Sequence, residues 1–510
     1  MSVFVALFGG IVASFVIEQL VRPRPLLGSR HRRALAMHFG VWLLLFGVGL
    51  AIWQRPYFAS GLNTAGMLLI VLVSNAKYAS LREPFLLSDF RFFKALLRHP
   101  RLYLPFFGVL PAIGCAVFFV GLCIFALWIE PSLLAQVGTA TLVAQVATLI
   151  ALGGLLLLIG MRGSTPITLE PIRDLSALGL LGSFIRYWQE EKDNNPQTVA
   201  QRLQSGIHIQ SKTATLPQLP HIVAVQCESF FDPRHGFKGI SNEVLKNFDA
   251  LTNVASQSGR LNVAAWGANT VRTEFAFLSG VPPSALGVHQ FNPYRMLARH
   301  GVTTIASELK KQGYRTVCVH PFSGSFYDRD KVFPALGFDE FIDTRAFSNE
   351  ERSGPYIGDL AVAKKVGSIL EREDRPLFIF VITMENHGPL HQEKVAEGDH
   401  ARLYAEVPPG GYDELTIFLR HLQHTDAMLG ELFASLNATA RKGWLCAYGD
   451  HVPILPGIYE TTDFADGRTE YLVVGPSPVK GNPRILDIAP QDLAQTLLRE
   501  AGILQGSAVI

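Results

Sequence analysis

The sequence predicts an N-terminal α-helical membrane domain followed by an α/β domain with a mainly parallel sheet. Three observations predict it. Apolar residues make up 48% of the 510-residue chain and concentrate in five long runs before about residue 165. From residue 220 on, short β-rich runs alternate with helical patterns, the rhythm of a doubly wound sheet. A polar, Pro-containing stretch separates the two halves. The expected domains are therefore 1–165 (transmembrane), 166–219 (interfacial helix and linker) and 220–510 (α/β).

The five runs are Ser2–Leu20, Ala36–Trp53, Tyr57–Ser74, Leu104–Trp128 and Ala140–Met161. Each approaches the roughly 20 apolar residues that cross a bilayer core. The first has no basic n-region and no small-residue cleavage site before Ile17-Glu18-Gln19, so it reads as a retained anchor. Arg22, Arg24, Arg30, Arg32 and Arg33 follow it, and Lys77, Arg82, Arg91, Lys94, Arg98 and Arg101 lie between the third and fourth runs. The positive-inside rule puts both loops in the cytoplasm. Counted through five spans, that rule leaves the C-terminal half in the cytoplasm too. A re-entrant span, or a 78–103 segment lying along the membrane surface, would reverse the outcome. No run carries a central charge of the kind that marks an ion path, which argues against a transporter.

After Met161, Asp174–Trp188 reads as an amphipathic helix with Leu175, Leu178, Leu180, Leu181, Phe184 and Ile185 towards lipid. QEEKDNNPQTVAQRLQSG and SKTATLPQLP then read as linker. In the second half, HIVAVQC (221–227), YRTVCVH (314–320), PLFIFVIT (376–383), GWLCAYG (443–449) and EYLVVG (470–475) read as buried strands. They are near-continuous apolar runs bounded by turn residues, as parallel strands covered on both faces should be. Residues 302–313 and 418–437 carry helical patterns.

Composition excludes some functions. A net charge of +2, with no basic run interleaved with aromatics, gives no footprint for nucleic acid. Of five cysteines, Cys115 and Cys123 fall in a span, while Cys227, Cys318 and Cys446 fall inside core strands, where Cys acts as a small apolar residue. With no CxxC, neither a disulfide framework nor a thiolate zinc site is expected.

In doubly wound sheets ligands collect beyond the carboxyl ends of the strands. Strand 221–227 ends in Glu228-Ser229, strand 314–320 in His320, strand 376–383 runs into Met384-Glu385-Asn386-His387, and strand 443–449 ends in Asp450-His451. In WGANTVRTEFAFLSG (266–280), Thr270 sits in a Gly/Asn-containing turn at a helix start, with Glu274 read into the first turn. Such an N-terminus suits a phosphate, and a hydroxyl there can accept a phosphoryl group if a metal lowers its pKa. Alone, Thr270 would read as an ordinary N-cap.

Glu228, Asp450, His451 and the Thr270 hydroxyl supply a four-ligand O/N set for one divalent ion. Such a set suits Mn²⁺, Zn²⁺ or Mg²⁺, ligand type alone does not choose among them, and Mn²⁺ is taken as the first expectation. His387 and His320 are candidates to donate to phosphate oxygens or to protonate a leaving alkoxide. Arg329 is the candidate phosphate clasp. Trp266 and Tyr327 are candidate pocket walls. His421 and His424 share a helical face and read as surface or packing residues.

AVQCESF around Glu228, ANTVRTEF around Thr270, HPFSGSFYDRDKVFPALGFDEF, ITMENHGPL and AYGDHVP, in that order and spacing, resemble the lipoteichoic acid synthase and phosphoglycerol transferase family of the alkaline phosphatase–sulfatase superfamily. The resemblance covers roughly residues 220–500. It implies a sulfatase-like α/β domain facing outward from the cytoplasmic membrane and phosphatidylglycerol as donor. It also implies Glu228, Thr270, Asp450 and His451 as metal ligands, Thr270 being the nucleophile, and His320, Arg329 and His387 as contacts to the phosphoglycerol group. Two positions depart from the family pattern: Phe322 stands where the synthases have an Asp, and Tyr327 where they have a Trp. Phosphoethanolamine transferases share the layout but are Cys-rich. A true sulfatase needs a Cys or Ser in CxPxR, which Thr270-Val271-Arg272 does not supply.

The expectation is a membrane-anchored, metal-dependent transferase that moves glycerol phosphate from phosphatidylglycerol, through a phospho-Thr270 intermediate, to an envelope glycan or polymer. A hydrolase with water as acceptor is one rival. A non-catalytic lipid-binding regulator on the same fold, which would be expected to have lost the nucleophile or a ligand, is another.

Overall fold

Among the described residues, five helices lie on the apolar runs of the first half: Ser2–Glu18, Arg32–Trp53, Pro56–Leu81, Val109–Ile129 and Leu133–Met161. The structure, a computed structural model, describes residues 2–25, 28, 30–92, 109–163, 166–203, 207–209, 218–462, 464–477 and 483–504. Lys94, Arg98, Arg101, the start of the fourth run (104–108) and most of SKTATLPQLP lie outside the described residues. Contacts divide the chain into two units, Met1–Asp193 and Asn194–Ile510.

In the first unit, three described helices are long and apolar enough to cross a membrane: Arg32–Trp53, Pro56–Leu81 and Leu133–Met161. Ser2–Glu18 and Phe119–Ile129 are apolar but shorter. Small residues let two of the long helices approach closely. A Cβ on Gly40 would lie 2.7 Å from the backbone nitrogen of Leu157, and one on Gly153 2.9 Å from that of Leu44. The helix expected to lie on lipid runs from Pro171 to Asp193 and breaks its regular geometry at Gly179 (φ 68°). Leu175, Leu180 and Phe184 do not face lipid as expected. They are buried in a cluster with Val21, Val71 and Phe85, because Asp174 and the Gly179 break fix that face inward. Asp174 accepts hydrogen bonds from the Thr168 and Leu169 backbones and from the Tyr187 hydroxyl. The Leu180 N–H freed at the break donates to Glu18, 2.6 Å away, which also pairs with Arg30.

The second unit begins earlier than residue 220. Pro196–Arg202 is helical, capped by Asn195, and Ala200, Ile207 and Ile209 are buried in the α/β core. The sheet contains β1 (His221–Cys227), β2 (Gln257–Leu261), β3 (Arg315–Val319), β4 (Glu340–Ile342), β7 (Leu377–Ile382), β8 (Gly443–Gly449), β9 (Thr469–Val474) and β10 (Arg484–Ile485). β5 (Arg352–Ser353) and β6 (Tyr356–Ile357) form a separate antiparallel pair. The order is β10-β2-β9-β8-β1-β7-β3-β4. β8, β1, β7, β3 and β4 run parallel, and β8, β1, β7 and β3 have the near-continuous apolar runs of strands covered on both faces. β9, expected among the parallel strands, instead runs antiparallel to both β8 and β2.

Alternation along β1 feeds two cores. Val223, Val225 and Cys227 face one cluster, which contains residues of the Asp359–Arg372 and Asp413–Ala438 helices. Ile222 and Ala224 face the other, with residues of the Thr270–Ser279 and Pro490–Glu500 helices. Cys227, Cys318 and Cys446 are buried free thiols in β1, β3 and β8, and burial pushes each pKa up.

At the end of β8 the chain passes so close to the segment that follows β1 that only glycine fits. A Cβ on Gly449 would lie 1.8 Å from the Phe230 carbonyl oxygen. Backbone cannot yield as a flexible side chain can. Gly449→Ala is therefore expected to destabilise the α/β unit by about 3 kcal/mol or more, read as a lowered midpoint in chemical denaturation.

Candidate metal centre and phosphate site

β1 and β8 are adjacent and parallel, so their carboxyl ends deliver Glu228 and the Asp450-His451 pair to one point. The three offer ligand atoms that all lie within 4.8 Å of one another, and all three side chains are buried. His451 Nε2 is 3.2 Å from Asp450 Oδ2 and 3.6 Å from Glu228 Oε1. Thr270, the first residue of the Thr270–Ser279 helix, places its Oγ1 3.5 Å from the same nitrogen. The centre thus draws on β1, β8 and one helix.

These separations fit a cation. Bonds of about 2.0–2.2 Å in a tetrahedral shell hold ligand atoms about 3.4 Å apart. Two further observations agree. Asp450 Oδ2 is buried without a hydrogen-bond partner, whereas Oδ1 accepts the Ser229 and His451 N–H groups at 2.8 and 2.9 Å. His451 Nδ1 donates to the Val452 carbonyl at 3.0 Å, which leaves Nε2 with a lone pair towards the carboxylates. Without a cation, burial and then the Asp450 charge push Glu228 up to about 8. A divalent ion would supply the missing counter-charge.

The ligand-bearing ends are fastened by threonine hydroxyls. Glu228 N–H donates to Thr383 Oγ1 at 2.9 Å, Thr469 Oγ1 donates to the Gly449 carbonyl at 2.8 Å, and Thr273 Oγ1 donates to the Asp450 carbonyl at 2.8 Å. Thr273, one turn into the helix, thereby locks the Thr270 end against β8. Ser229 (φ 55°) and Asn269 (φ 67°) take left-handed backbone on either side of the centre, local strain of the sort kept at functional sites. Asn269, not Thr270, is the N-cap residue.

Glu274 is not in the first turn, which holds no acidic residue. One turn deeper it is fully buried, because its partner is a buried cation rather than the helix end. Arg329 binds it through Nη2 at 2.7 Å and Nε at 3.2 Å, and the Tyr294 hydroxyl and Gln226 amide also donate to it. Burial works against the Arg329 charge, but Glu274 outweighs it and holds the guanidinium above its usual pKa. Arg329 Nη1 is 3.1 Å from His320 Nε2. Since Arg only donates, Nε2 accepts, and His320 Nδ1 donates to the Ile382 carbonyl at 3.1 Å. Both nitrogens of His320 are thus engaged within the protein. Burial, then Arg329, lowers its pKa well below the ordinary value.

His387 is less enclosed. Its Nδ1 donates to the Gly388 carbonyl at 2.6 Å and lies 3.2 Å from the Tyr356 hydroxyl, so the neutral ring keeps its proton on Nδ1 and Nε2 is left with a lone pair able to accept one. Burial lowers its pKa, with Arg329 acting in the same direction and Asp450 opposing it. Glu228 in turn feels Arg329, and Tyr356 is raised by burial and by Glu228. Arg329, His387 and Tyr356 therefore share one electrostatic neighbourhood with Glu228 and Asp450.

Tyr327 lies under the Arg329 guanidinium, 5.2 Å from ring centre to charge. Trp266 packs edge-on against Tyr459 at 5.3 Å. Phe322 sits among Phe326, Tyr356 and His320.

Sequence reasoning missed Tyr356, which sits in a two-residue strand with no chemical pattern around it. It also took His421 and His424 for surface or packing residues. His421 is buried with Nδ1 2.9 Å from Glu385 Oε1 and Nε2 3.0 Å from Glu393 Oε1, and His424 Nδ1 is 2.6 Å from Glu385 Oε1. The i, i+3 spacing of the two histidines was the available signal, but their carboxylates come from elsewhere in the chain.

The chain is 27% identical over 484 residues to the capsular polysaccharide biosynthesis protein RkpI of Rhizobium meliloti (strain 1021), covering 90% of this chain and 86% of that protein. It is 24% identical over 252 residues to lipoteichoic acid synthase 2 of Bacillus subtilis (strain 168), covering 46% of this chain and 37% of the relative. Among solved structures, Streptococcus pyogenes phosphoglycerol transferase GacH in complex with sn-glycerol-1-phosphate aligns with a TM-score of 0.46 and 20% identity, covering 62% of this chain and 80% of that one. A sequence model of the sulfatase family matches residues 220–503, more than half of the chain, and the protein therefore belongs to the sulfatase family.

Proposed function

We propose that the protein is a membrane-anchored, metal-dependent phosphoglycerol transferase that takes glycerol phosphate from phosphatidylglycerol and passes it to an envelope glycan or polymer. One observation carries the reading: a helix-terminal hydroxyl, Thr270 Oγ1, stands 3.5 Å from His451 Nε2 beside a buried carboxylate oxygen with no hydrogen-bond partner. Glu228, Thr270, Asp450 and His451 would hold one divalent ion, Mn²⁺ being the first choice. When bound, it would lower the hydroxyl pKa and steady charge on the phosphoryl oxygens.

Thr270 Oγ1 attacks the phosphorus of phosphatidylglycerol. An Oγ1–P bond forms, the P–O bond to diacylglycerol breaks, and the Thr270 proton ends on the diacylglycerol oxygen. The acceptor hydroxyl then attacks the same phosphorus. Its proton ends on Thr270 as the Oγ1–P bond breaks. The N–H groups opening the Thr270 helix orient the phosphoryl oxygens. Arg329, held by Glu274 and resting on Tyr327, supplies fixed positive charge beside them. His387, neutral near pH 7 and with Nε2 available, is assigned to relay the proton.

The apolar helices anchor the chain, and we assign the α/β unit to the outer face of the cytoplasmic membrane, where a glycan acceptor is found. The similarity to a capsular polysaccharide biosynthesis protein supports an envelope glycan, and that to a lipoteichoic acid synthase supports the donor.

The test is to incubate the full chain, with Mn²⁺, in vesicles of phosphatidylglycerol labelled in the terminal glycerol. Expected results are diacylglycerol release, label on Thr270 by peptide mass spectrometry, and label transfer to added glycan. Absence of diacylglycerol release would refute the reading. Label appearing as free glycerol phosphate whether or not glycan is present would establish the hydrolase instead.

A further inference from the structure

The second histidine–carboxylate cluster differs from the first in one measurable way. Around the metal centre, His451 Nε2 stands 3.2–3.6 Å from the carboxylate oxygens, too far for strong hydrogen bonds. Around His421 the corresponding distances are 2.9 and 3.0 Å, and His424 Nδ1 is 2.6 Å from Glu385. The first cluster is spaced for a cation, the second for shared protons.

Both ring nitrogens of His421 face carboxylate oxygens. A neutral imidazole has one N–H, so only the imidazolium satisfies both partners. The two partners lie at opposite ends of one loop. Glu385 follows β7, and Glu393 follows the short turn Leu390–Gln392. Between them lies Asn386-His387-Gly388-Pro389, which carries the phosphate-site histidine. Each end has a second tether: Glu385 Oε2 accepts the Asp359 N–H at 2.6 Å, and Glu393 Oε2 pairs with Arg420 at 2.9 Å.

We propose that His421, clamped between Glu385 and Glu393, is a positioning residue that closes the 385–393 loop on the Asp413–Ala438 helix and so fixes His387 at the phosphate site. The groups facing His421 are Glu385, Glu393 and His424, with Asp359 close enough to feel its charge. Burial opposes the charge on His421, but the two carboxylates outweigh it and raise its pKa from 6.5 to about 9. For a group raised on folding, the clamp is at full strength below about 6.5 and is lost as pH rises through about 9. The effect on turnover rests on the phosphoglycerol-transfer reading, whereas the loop's rigidity does not.

The experiment uses the full chain in detergent and hydrogen–deuterium exchange read by mass spectrometry. In His421→Ala, exchange in peptides covering 384–393 should rise by about tenfold or more, while peptides from 270–279 and 443–452 stay unchanged. In the wild-type protein the same loop should lose protection as pH passes about 9, after correction for intrinsic exchange, and His421→Ala should show no such step. Glu393→Gln, which unclasps only the far end, gives the same loop-specific change if His421→Ala does not fold. Equal loop exchange in wild type and both variants would overturn the proposal. So would a wild-type protein holding two divalent ions that drops to one in His421→Ala, since the cluster would then be a second metal site.

Turnover separates positioning from general damage. His421→Ala should lower kcat by about 10- to 100-fold with KM little changed, and should cost nothing further in a His387→Ala background. An equal loss in both backgrounds counts against the clamp. If the wild-type protein releases no diacylglycerol at all, the transfer reading falls, and the exchange result still decides the clamp.

Discussion

Thr270→Ala is expected to stop diacylglycerol release, lowering kcat by about four to six orders of magnitude. The substitution removes the one atom assigned to attack phosphorus, which is also one of the four assigned metal ligands, and no bond that holds the fold. Asn269 occupies the N-cap, so no cap is lost, and alanine is a good first residue for the helix. The hydroxyl's recorded neighbour is His451 Nε2 at 3.5 Å, a contact too long to stabilise the fold appreciably. Measured without metal, the thermal midpoint should therefore stay within the shift produced by about 1 kcal/mol. Lipid assay and thermal denaturation on the same preparation check both halves. Turnover that survives in a folded Thr270→Ala protein would remove Thr270 as nucleophile.

The second large effect is on Asp450→Asn. Asparagine retains Oδ1 as acceptor for the Ser229 and His451 N–H groups, so the turn should persist. The other position becomes an amide N–H₂, which points donors where the wild type offers a lone pair. Bound divalent metal, measured by elemental analysis, should fall from one per chain to near zero, and kcat by about a thousandfold or more. Stability separates this variant from a general lesion. Metal at about 100–1,000 times Kd should stabilise the wild-type protein by about 3–4 kcal/mol and leave Asp450→Asn unmoved. Without metal the order should invert or close. The wild-type site then keeps two carboxylates side by side, with Glu228 pushed up to about 8, and the variant keeps one. A metal-free Asp450→Asn protein far less stable than metal-free wild type would show that Asp450 is mainly structural.

Much of this was legible in the chain. β1, β3, β7 and β8 are near-continuous apolar runs, and each ends in a residue able to ligate or donate. Reading the strand ends was enough to gather Glu228, His320, His387, Asp450 and His451. What escaped depended on long-range partners. Glu274 looked like a charge for its own helix end, yet its partner Arg329 lies 55 residues on, and burial selects that pairing over a solvent-facing place. β9 carries the same apolar composition as its neighbours, and direction is not written in composition. β2, Gln257–Leu261, is too polar to read as a strand without β9 beside it. Leu175 and Leu180 were read as facing lipid because a bilayer and a helix neighbour make the same demand on a side chain. His421 was passed over because its carboxylates sit in another segment.

The three threonine fasteners have a consequence for how the site would handle the proposed ion. Thr273, Thr383 and Thr469 each bond to backbone, not to a ligand side chain, and do so from outside the coordination shell. The donors are therefore held in place by the tertiary structure whether or not a cation lies among them. An ion can leave and return without the chain refolding around it. The identity of the proposed metal would then follow from whichever cation is abundant and matches a cage of fixed size, rather than from a cage that moulds itself to its occupant.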